Sequence, residues 1–404
     1  MCAVHVKSKI TMEEPRRIAF VSGLGFGGAT TFLCNLAGEL ARRRVPVIVV
    51  SPENENAFAS DFKSAGVKVF LQDQRRVIFE DRMTAMLQTL AEFQPTSVVG
   101  CLGETSYEVL RYLPAGVRRL AMIQCDHPMF YDAAAPYAGC TDAIVGVSRT
   151  ITERLERMDV FRKVSKLCLL HGVMVPDRLA ARNFHKPMRI ISLGRLEIGQ
   201  KRVHLFPVIY RQLVNTEIPF VWTIVGEGGE RGNIERAMSS SPAQQVVFAG
   251  SVSHSEVPTL LENQDAFLLT SDSEGLPLSL LEAMAHGVVP VVSDLESGIR
   301  DVVDTSNGLL VPVNDVEGYA HAIIHLHEHR DELAAKSAAA HERARTEFSI
   351  QTMADRWLQV LAAPPQRVKW PLSWRIRGPL TKLHSPRFWP PIRVARRLAA
   401  RFRR

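Results

Sequence analysis

What most constrains this chain is a pattern that runs twice: a short apolar strand, a glycine-bearing turn, then a stretch with helical spacing. Arg17-Ile-Ala-Phe-Val-Ser22 leads into Gly23-Leu-Gly25-Phe-Gly27-Gly28 and a helix with Phe32, Leu33, Leu36, Ala37 and Leu40 on one face. Further strands are expected at 47–51, 67–71, 97–102, 119–123 and 143–147, interleaved with helical stretches such as 82–93. The pattern restarts at Met188-Arg-Ile-Ile-Ser-Leu-Gly194 and continues at 223–226, 246–252, 266–269, 288–292 and 307–312. Strands that alternate with helices pair in parallel, and a parallel sheet is covered on both faces. The expected class is α/β, with two doubly wound sheets, and 404 residues suffice for two domains.

The most informative stretch is Ser271-Asp-Ser-Glu-Gly-Leu-Pro-Leu-Ser-Leu-Leu-Glu-Ala-Met-Ala-His-Gly-Val-Val-Pro-Val-Val-Ser-Asp294, which reads as strand end, loop, helix, turn and strand. Gly275 and Pro277 keep a helix from starting before about Pro277, a residue suited to the first helical position because its missing N–H costs nothing there. Leu278, Leu281, Met284 and Ala285 then form an apolar stripe, and His286-Gly287 supplies the stop. Glu274 thus precedes a helix N-terminus and Glu282 lies more than one turn inside the helix. A helix N-terminus offers unpaired N–H groups and about half a positive charge, a ready site for phosphate. Carboxylates beside it accept from hydroxyls. A group that carries both phosphate and hydroxyls is a sugar nucleotide.

Glu274, seven residues and Glu282, followed by Ala-Met-Ala-x-Gly-x-x-Pro-Val-Val, resembles the signature of retaining glycosyltransferases of family 4, which have the GT-B fold. The resemblance extends over roughly 17–362. It implies an N-terminal Rossmann-like acceptor-side domain at 16–173, a linker at 174–187, a donor-binding domain at 188–347 and a closing helix at 348–363 that crosses back to the first domain. It also implies that Glu274 contacts the donor sugar at the reacting centre, that Glu282 holds the ribose, and that Leu276 and Leu278 belong to the donor site.

In Gly194-Arg-Leu-Glu-Ile-Gly-Gln-Lys201, the forked donors of Arg195 and the point charge of Lys201 suit a diphosphate. The resemblance implies that this pair stabilises the leaving nucleotide in place of a protein-bound metal. Four residues, 197–200, separate Leu196 from Lys201 where the family usually has three, so the turn is expected to bulge. Gly27-Gly28 would let backbone approach the donor phosphates from the opposite domain. His127, in Gln124-Cys-Asp-His-Pro128 after the fifth strand, is expected near the sugar bond that breaks. Gly226 and Val252 stand on segments that resemble the family's base-binding walls, Glu104 is a candidate for the acceptor side, and His171 replaces the Asn usual in Leu169-Leu-His-Gly-Val173.

Other readings stay open. Gly23, Gly25 and Gly28 satisfy the dinucleotide fingerprint, with Glu53 after the second strand, so a nucleotide-cofactor oxidoreductase is one alternative. A catalytically idle scaffold of the same fold at a membrane is another. On the glycosyltransferase reading no cofactor or metal is expected. The donor is a UDP-, GDP- or ADP-sugar and the acceptor a glycan or lipid-linked hydroxyl.

No apolar run approaches the ~20 residues that span a bilayer, and the first 17 residues lack the apolar core of a secretory signal. Six cysteines without paired spacing fit free thiols in a reducing compartment, so a cytoplasmic location is expected. The formal charge of +7 is misleading as an average, because the segment from Arg367 onward holds twelve Lys or Arg and no acid, which makes the rest of the chain acidic. That tail, 364–404, also carries Trp370, Trp374 and Trp389. As a helix it would align Ile392, Ala395, Leu398, Ala399 and Phe402, a pattern suited to an anionic membrane surface on the cytoplasmic face. Nucleic acid is the rival partner, since aromatics among cations also stack on bases.

Overall fold

The computed structural model describes residues 16–25, 27–54, 56, 58–72, 79–180, 187–216, 218–238 and 246–365. The tail expectations at 366–404, part of the linker (181–186) and the N-terminal lead-in lie outside the described residues.

The first half contains strands β1 (Ile18–Val21), β2 (Val47–Val50), β3 (Lys68–Phe70), β4 (Ser97–Gly100), β5 (Arg118–Ile123), β6 (Ala143–Gly146) and β7 (Ser165–Cys168). Helices α1 (Gly28–Arg42), α2 (Ala59–Ser64), α3 (Phe79–Phe93), α4 (Glu104–Glu108), α5 (Pro128–Ala134) and α6 (Arg149–Arg157) connect them. The second half contains β8 (Met188–Leu193), β9 (Phe220–Val225), β10 (Val246–Gly250), β11 (Ala266–Leu269), β12 (Val289–Ser293) and β13 (Leu309–Val311). Its helices are α7 (Phe206–Asn215), α8 (Arg231–Met238), α9 (Val257–Leu261), α10 (Leu278–Ala285), α11 (Gly298–Val302), α12 (Val316–Glu328), α13 (Arg330–Glu347) and α14 (Ile350–Leu361).

Both sheets are parallel, with strand orders β3-β2-β1-β4-β5-β6-β7 and β10-β9-β8-β11-β12-β13. The order reverses between β1 and β4 and again between β8 and β11, and ligands of open α/β sheets bind beyond the carboxyl ends of strands at such reversals. The loops after β1, β8 and β11, which carry Gly27-Gly28, Arg195–Lys201 and Glu274, all lie there.

Burial on both faces explains the unbroken apolar strands. On β11, Phe267 and Leu269 join the core shared with the first domain, while Ala266 and Leu268 join a second core around Trp222, Tyr210 and Tyr319. The first of these cores runs continuously from the N-terminal sheet through Leu278 and Met284 of α10 to Trp357 of α14. The last helix lies on α1, with Trp357 against Phe20 and Phe32, Arg43 paired with Asp355, and Arg118 Nη1 donating to the carbonyls of Ala363 and Pro364 at 3.0 and 2.9 Å. His171 is packed beneath it at 4.6 Å from Phe32, and burial pushes its pKa down to about 3, so it serves as a neutral packing residue.

Two local expectations change. The sequence reading passes from the strand at 143–147 through a helix to 169–173 without a strand at Ser165–Cys168. That edge strand is half-exposed and reads Ser-Lys-Leu-Cys, so it lacks the apolar run by which buried strands are recognised. Pro277 is the N-cap of α10, not its first residue, because its ψ of 121° is extended. Helices α12 and α13 each bury one apolar face, Tyr319, Ile323 and Leu326 on α12 and Leu333, Ala340 and Ala344 on α13.

Candidate functional site

The loop after β8 begins at Gly194 and is seated by Gly226, whose φ is +134°. A Cβ on Gly226 would lie 1.9 Å from the Gly194 carbonyl oxygen. Gly226 therefore supports the turn from behind. Between Leu196 and Lys201 the extra residue is absorbed by a tight turn in which the Arg202 N–H donates to the Ile198 carbonyl at 3.2 Å and Arg202 adopts φ 54°. Its guanidinium fastens that turn to Asp272 at 2.9 Å and to Asn314 at 2.6 Å. The bulge turns Lys201 inward, where its Nζ meets Glu274 Oε1 at 2.6 Å, with side-chain exposures of 15% and 6%. Arg195 is more open, paired with Glu197 at 3.1 Å and donating to Gln200 Oε1 at 3.1 Å.

The loop between β11 and α10 is held on two sides. The Asp272 N–H donates to the Gln200 carbonyl at 3.1 Å, and the Gly298 N–H donates to the Gly275 carbonyl at 2.7 Å. On its third side it abuts the first domain, and a Cβ on Gly275 would sit 2.1 Å from the Gln124 carbonyl oxygen. Cys125 lies at the same seam, its thiol pushed up by burial and by the Glu274 carboxylate.

Neither Pro277, which precedes α10, nor Gly27, which precedes α1, provides a side-chain cap. The first residues of these two helices, from opposite domains, are close neighbours, for a Cβ on Gly28 would lie 3.8 Å from Leu278 Cδ1. Two half-positive helix ends beside an ammonium and a guanidinium form a site for an anion. Farther along α10, Glu282 Oε1 meets His254 Nε2 at 3.1 Å, and that hydrogen bond is the main reason the His254 pKa is raised. His254 also lies edge-on to Phe58 of the first domain, with ring centroids 6.4 Å apart. The structure thus brings Arg195, Lys201, Glu274, Gly28 and Leu278 into one region, with Leu276 buried in the connecting loop.

His127 caps α5, its Nδ1 accepting from the Met129 N–H at 3.3 Å. The neutral ring therefore carries its proton on Nε2, on an exposed side chain three residues beyond the Gln124–Gly275 seam. Val252 is half-buried two residues before His254, and Glu104 is exposed at the start of α4, beyond the carboxyl end of β4. Sequence reasoning does not single out Gln200 or His254. The first reads as a spacer and the second as a polar residue in a capped turn.

Residues 177–345 match the family Glycosyl transferases group 1. The putative colanic acid biosynthesis glycosyltransferase WcaL of Escherichia coli is 34% identical over 176 residues, which are 41% of this chain and 43% of that protein. The lipopolysaccharide core biosynthesis glycosyltransferase LpsE of Rhizobium meliloti is 28% identical over 240 residues, 58% of this chain and 68% of that protein. The chain thus spans less than half the length of WcaL. Among solved structures, TarM of S. aureus, in complex with fondaparinux, α-GlcNAc-glycerol and UDP, has a TM-score of 0.73 at 12% identity over 86% of this chain and 100% of that one. HepE of Anabaena, in complex with UDP-glucose, has a TM-score of 0.72 at 16% identity over 86% and 99%. The fold is GT-B: two Rossmann-like domains that face each other across a cleft.

Proposed function

We propose that this protein is a retaining glycosyltransferase of family 4 that moves a sugar from a nucleotide diphosphate to an acceptor hydroxyl without a protein-bound metal ion. The observation that carries the reading is the convergence of two uncapped helix N-termini, at Gly28 and Leu278, beside Lys201 and Arg195. As the sugar–phosphate bond breaks, positive charge develops on the sugar and negative charge on the diphosphate. Preorganised N–H groups and cations aimed at that anion are usually the largest catalytic contribution. Glu274 and the Nε2 proton of His127 orient the sugar, so that the acceptor attacks the face the nucleotide leaves, and Glu282 holds the ribose. The named glycan pathways of WcaL and LpsE and the UDP and UDP-glucose complexes of TarM and HepE support a nucleotide-sugar donor and a glycan or lipid-linked acceptor.

Melting the protein with UDP, GDP, ADP and their sugars tests the reading. A ligand at 100 times its Kd stabilises by about 2.7 kcal/mol, which raises the melting temperature measurably. One nucleotide should do so, and its sugar should be hydrolysed or transferred with retained anomeric configuration. No shift with any nucleotide diphosphate overturns the proposal. A shift with NAD alone restores the oxidoreductase, and binding without turnover leaves an idle scaffold.

We further propose that the basic tail from Arg367 holds the enzyme at an anionic membrane, each cation near the surface contributing about 1 kcal/mol. The full chain should sediment with anionic vesicles and a chain cut at Pro364 should not. Equal sedimentation of the two sinks this part.

A further inference from the structure

Gln200 sits between the two oppositely charged parts of the site. Its Oε1 accepts from Arg195 Nη2 at 3.1 Å, and its Nε2 donates to the Ser273 carbonyl at 2.8 Å and to Glu274 Oε2 at 3.3 Å. A guanidinium only donates, and a carbonyl and a carboxylate only accept, so the amide fits in one orientation alone. Its backbone is fixed too, because the Gln200 carbonyl accepts from the Asp272 N–H at 3.1 Å. Lys201 already occupies the other oxygen of Glu274. Without a neutral group between them, Arg195 and Glu274 would be free to pair directly, which would draw the guanidinium off the diphosphate and the carboxylate off the sugar.

We infer that Gln200 is a positioning residue whose amide sets the spacing and orientation of Arg195 and Glu274 for the transfer proposed above. The inference rests on that reading of the site. Gln200 lies in the loop that is one residue longer than the family pattern, and the turn that accommodates the added length, closed by Arg202 on Asp272, delivers the amide to this place.

The test compares Gln200→Glu, Gln200→Met and Gln200→Ala with wild type, using whichever sugar nucleotide the wild type accepts. The introduced carboxylate is an acceptor facing two acceptors. Because a misplacement of 1 Å can cost 10²-fold, Gln200→Glu should lower kcat by about 10- to 100-fold at neutral pH, with the donor KM changed only a few-fold. As the pH falls the new carboxyl protonates and can donate again, so the deficit of Gln200→Glu relative to wild type should shrink. A merely structural brace would not show that pH dependence. Gln200→Met keeps the volume without the polar atoms and should lose about tenfold in kcat, comparable to one hydrogen bond to a charged group, while melting close to wild type.

Wild-type kcat in Gln200→Glu at neutral pH, or a deficit that does not vary with pH, overturns the inference. If Arg195→Ala is at the same time strongly impaired, the parent reading stands and only the role of Gln200 falls. If the wild type turns over no sugar nucleotide and Arg195→Ala binds nucleotide diphosphates as wild type does, the parent reading fails and this inference with it.

Discussion

Lys201→Ala is expected to lower kcat for sugar transfer by about 10²–10³-fold, the loss seen when one preorganised donor to a developing anion is removed. Two effects are combined in that number. The ammonium meets Glu274 Oε1 at 2.6 Å in a place where both side chains are largely buried, so its removal also leaves a carboxylate short of a partner. Breaking a fully buried pair in this way costs about 3–5 kcal/mol. The cost here is smaller, because Lys201 keeps 15% exposure and Gln200 still donates to the other oxygen. The double variant Lys201→Ala/Glu274→Gln separates the effects, since it removes the orphaned charge without restoring the cation. Its melting temperature should return toward wild type. Its affinity for the nucleotide diphosphate product should stay at least about tenfold weak, because a charge-assisted hydrogen bond to phosphate contributes about 1.5–3 kcal/mol. Product affinity restored to the wild-type value would show that Lys201 only neutralises Glu274 and does not hold the diphosphate.

The contact behind that prediction joins residues 73 positions apart, and neither motif contains the information that they meet. What the sequence does display is the order of strands and turns. Strands such as Ile18–Val21 and Ala266–Leu269 are buried throughout, so they must be apolar and are easily seen. Parallel pairing of β8 with β11 then places the turn after Gly194 beside the turn before Pro277, and the Lys201–Glu274 contact follows from that adjacency. Features without an apolar signature are not legible in this way. The edge strand Ser165–Cys168 is exposed at both ends and fully buries no residue, and the extended ψ that makes Pro277 a cap is a torsion that no residue type announces. Gln200 and His254 are polar residues in turns, a common place for such residues. The adjacency of the loops after β8 and β11 makes Gln200 a partner of Glu274, and the passage of α10 beside the loop after β10 makes His254 a partner of Glu282.

Gly275→Ala should impair turnover as strongly as the loss of a charged group, although it removes no polar atom. The added methyl would stand 2.1 Å from the Gln124 carbonyl oxygen and 3.2 Å from Cys125 Cα, so backbone has to move on one side of the cleft. The loop that carries Gly275 resists retreat, because withdrawal breaks the Gly298 N–H bond to the Gly275 carbonyl at 2.7 Å and the Gln200 bond to the Ser273 carbonyl at 2.8 Å. The lesser movement is separation of the domains at this seam. Overpacking of this kind costs about 1–3 kcal/mol, so the variant should fold and melt only a few degrees lower. Separation would carry the loop of His127 away from Glu274 while leaving the Arg195–Lys201 turn intact. Since a displacement of about 1 Å can cost 10²-fold, kcat should fall by about two orders of magnitude while affinity for the nucleotide diphosphate stays within a few-fold. Gly116→Ala is the control, since a Cβ there meets nothing within 4 Å and the residue is remote from the site in the chain's first domain. If Gly275→Ala turns over as fast as that control, the two domains do not approach this closely at Gly275 during transfer, and His127 has no place at the reacting sugar.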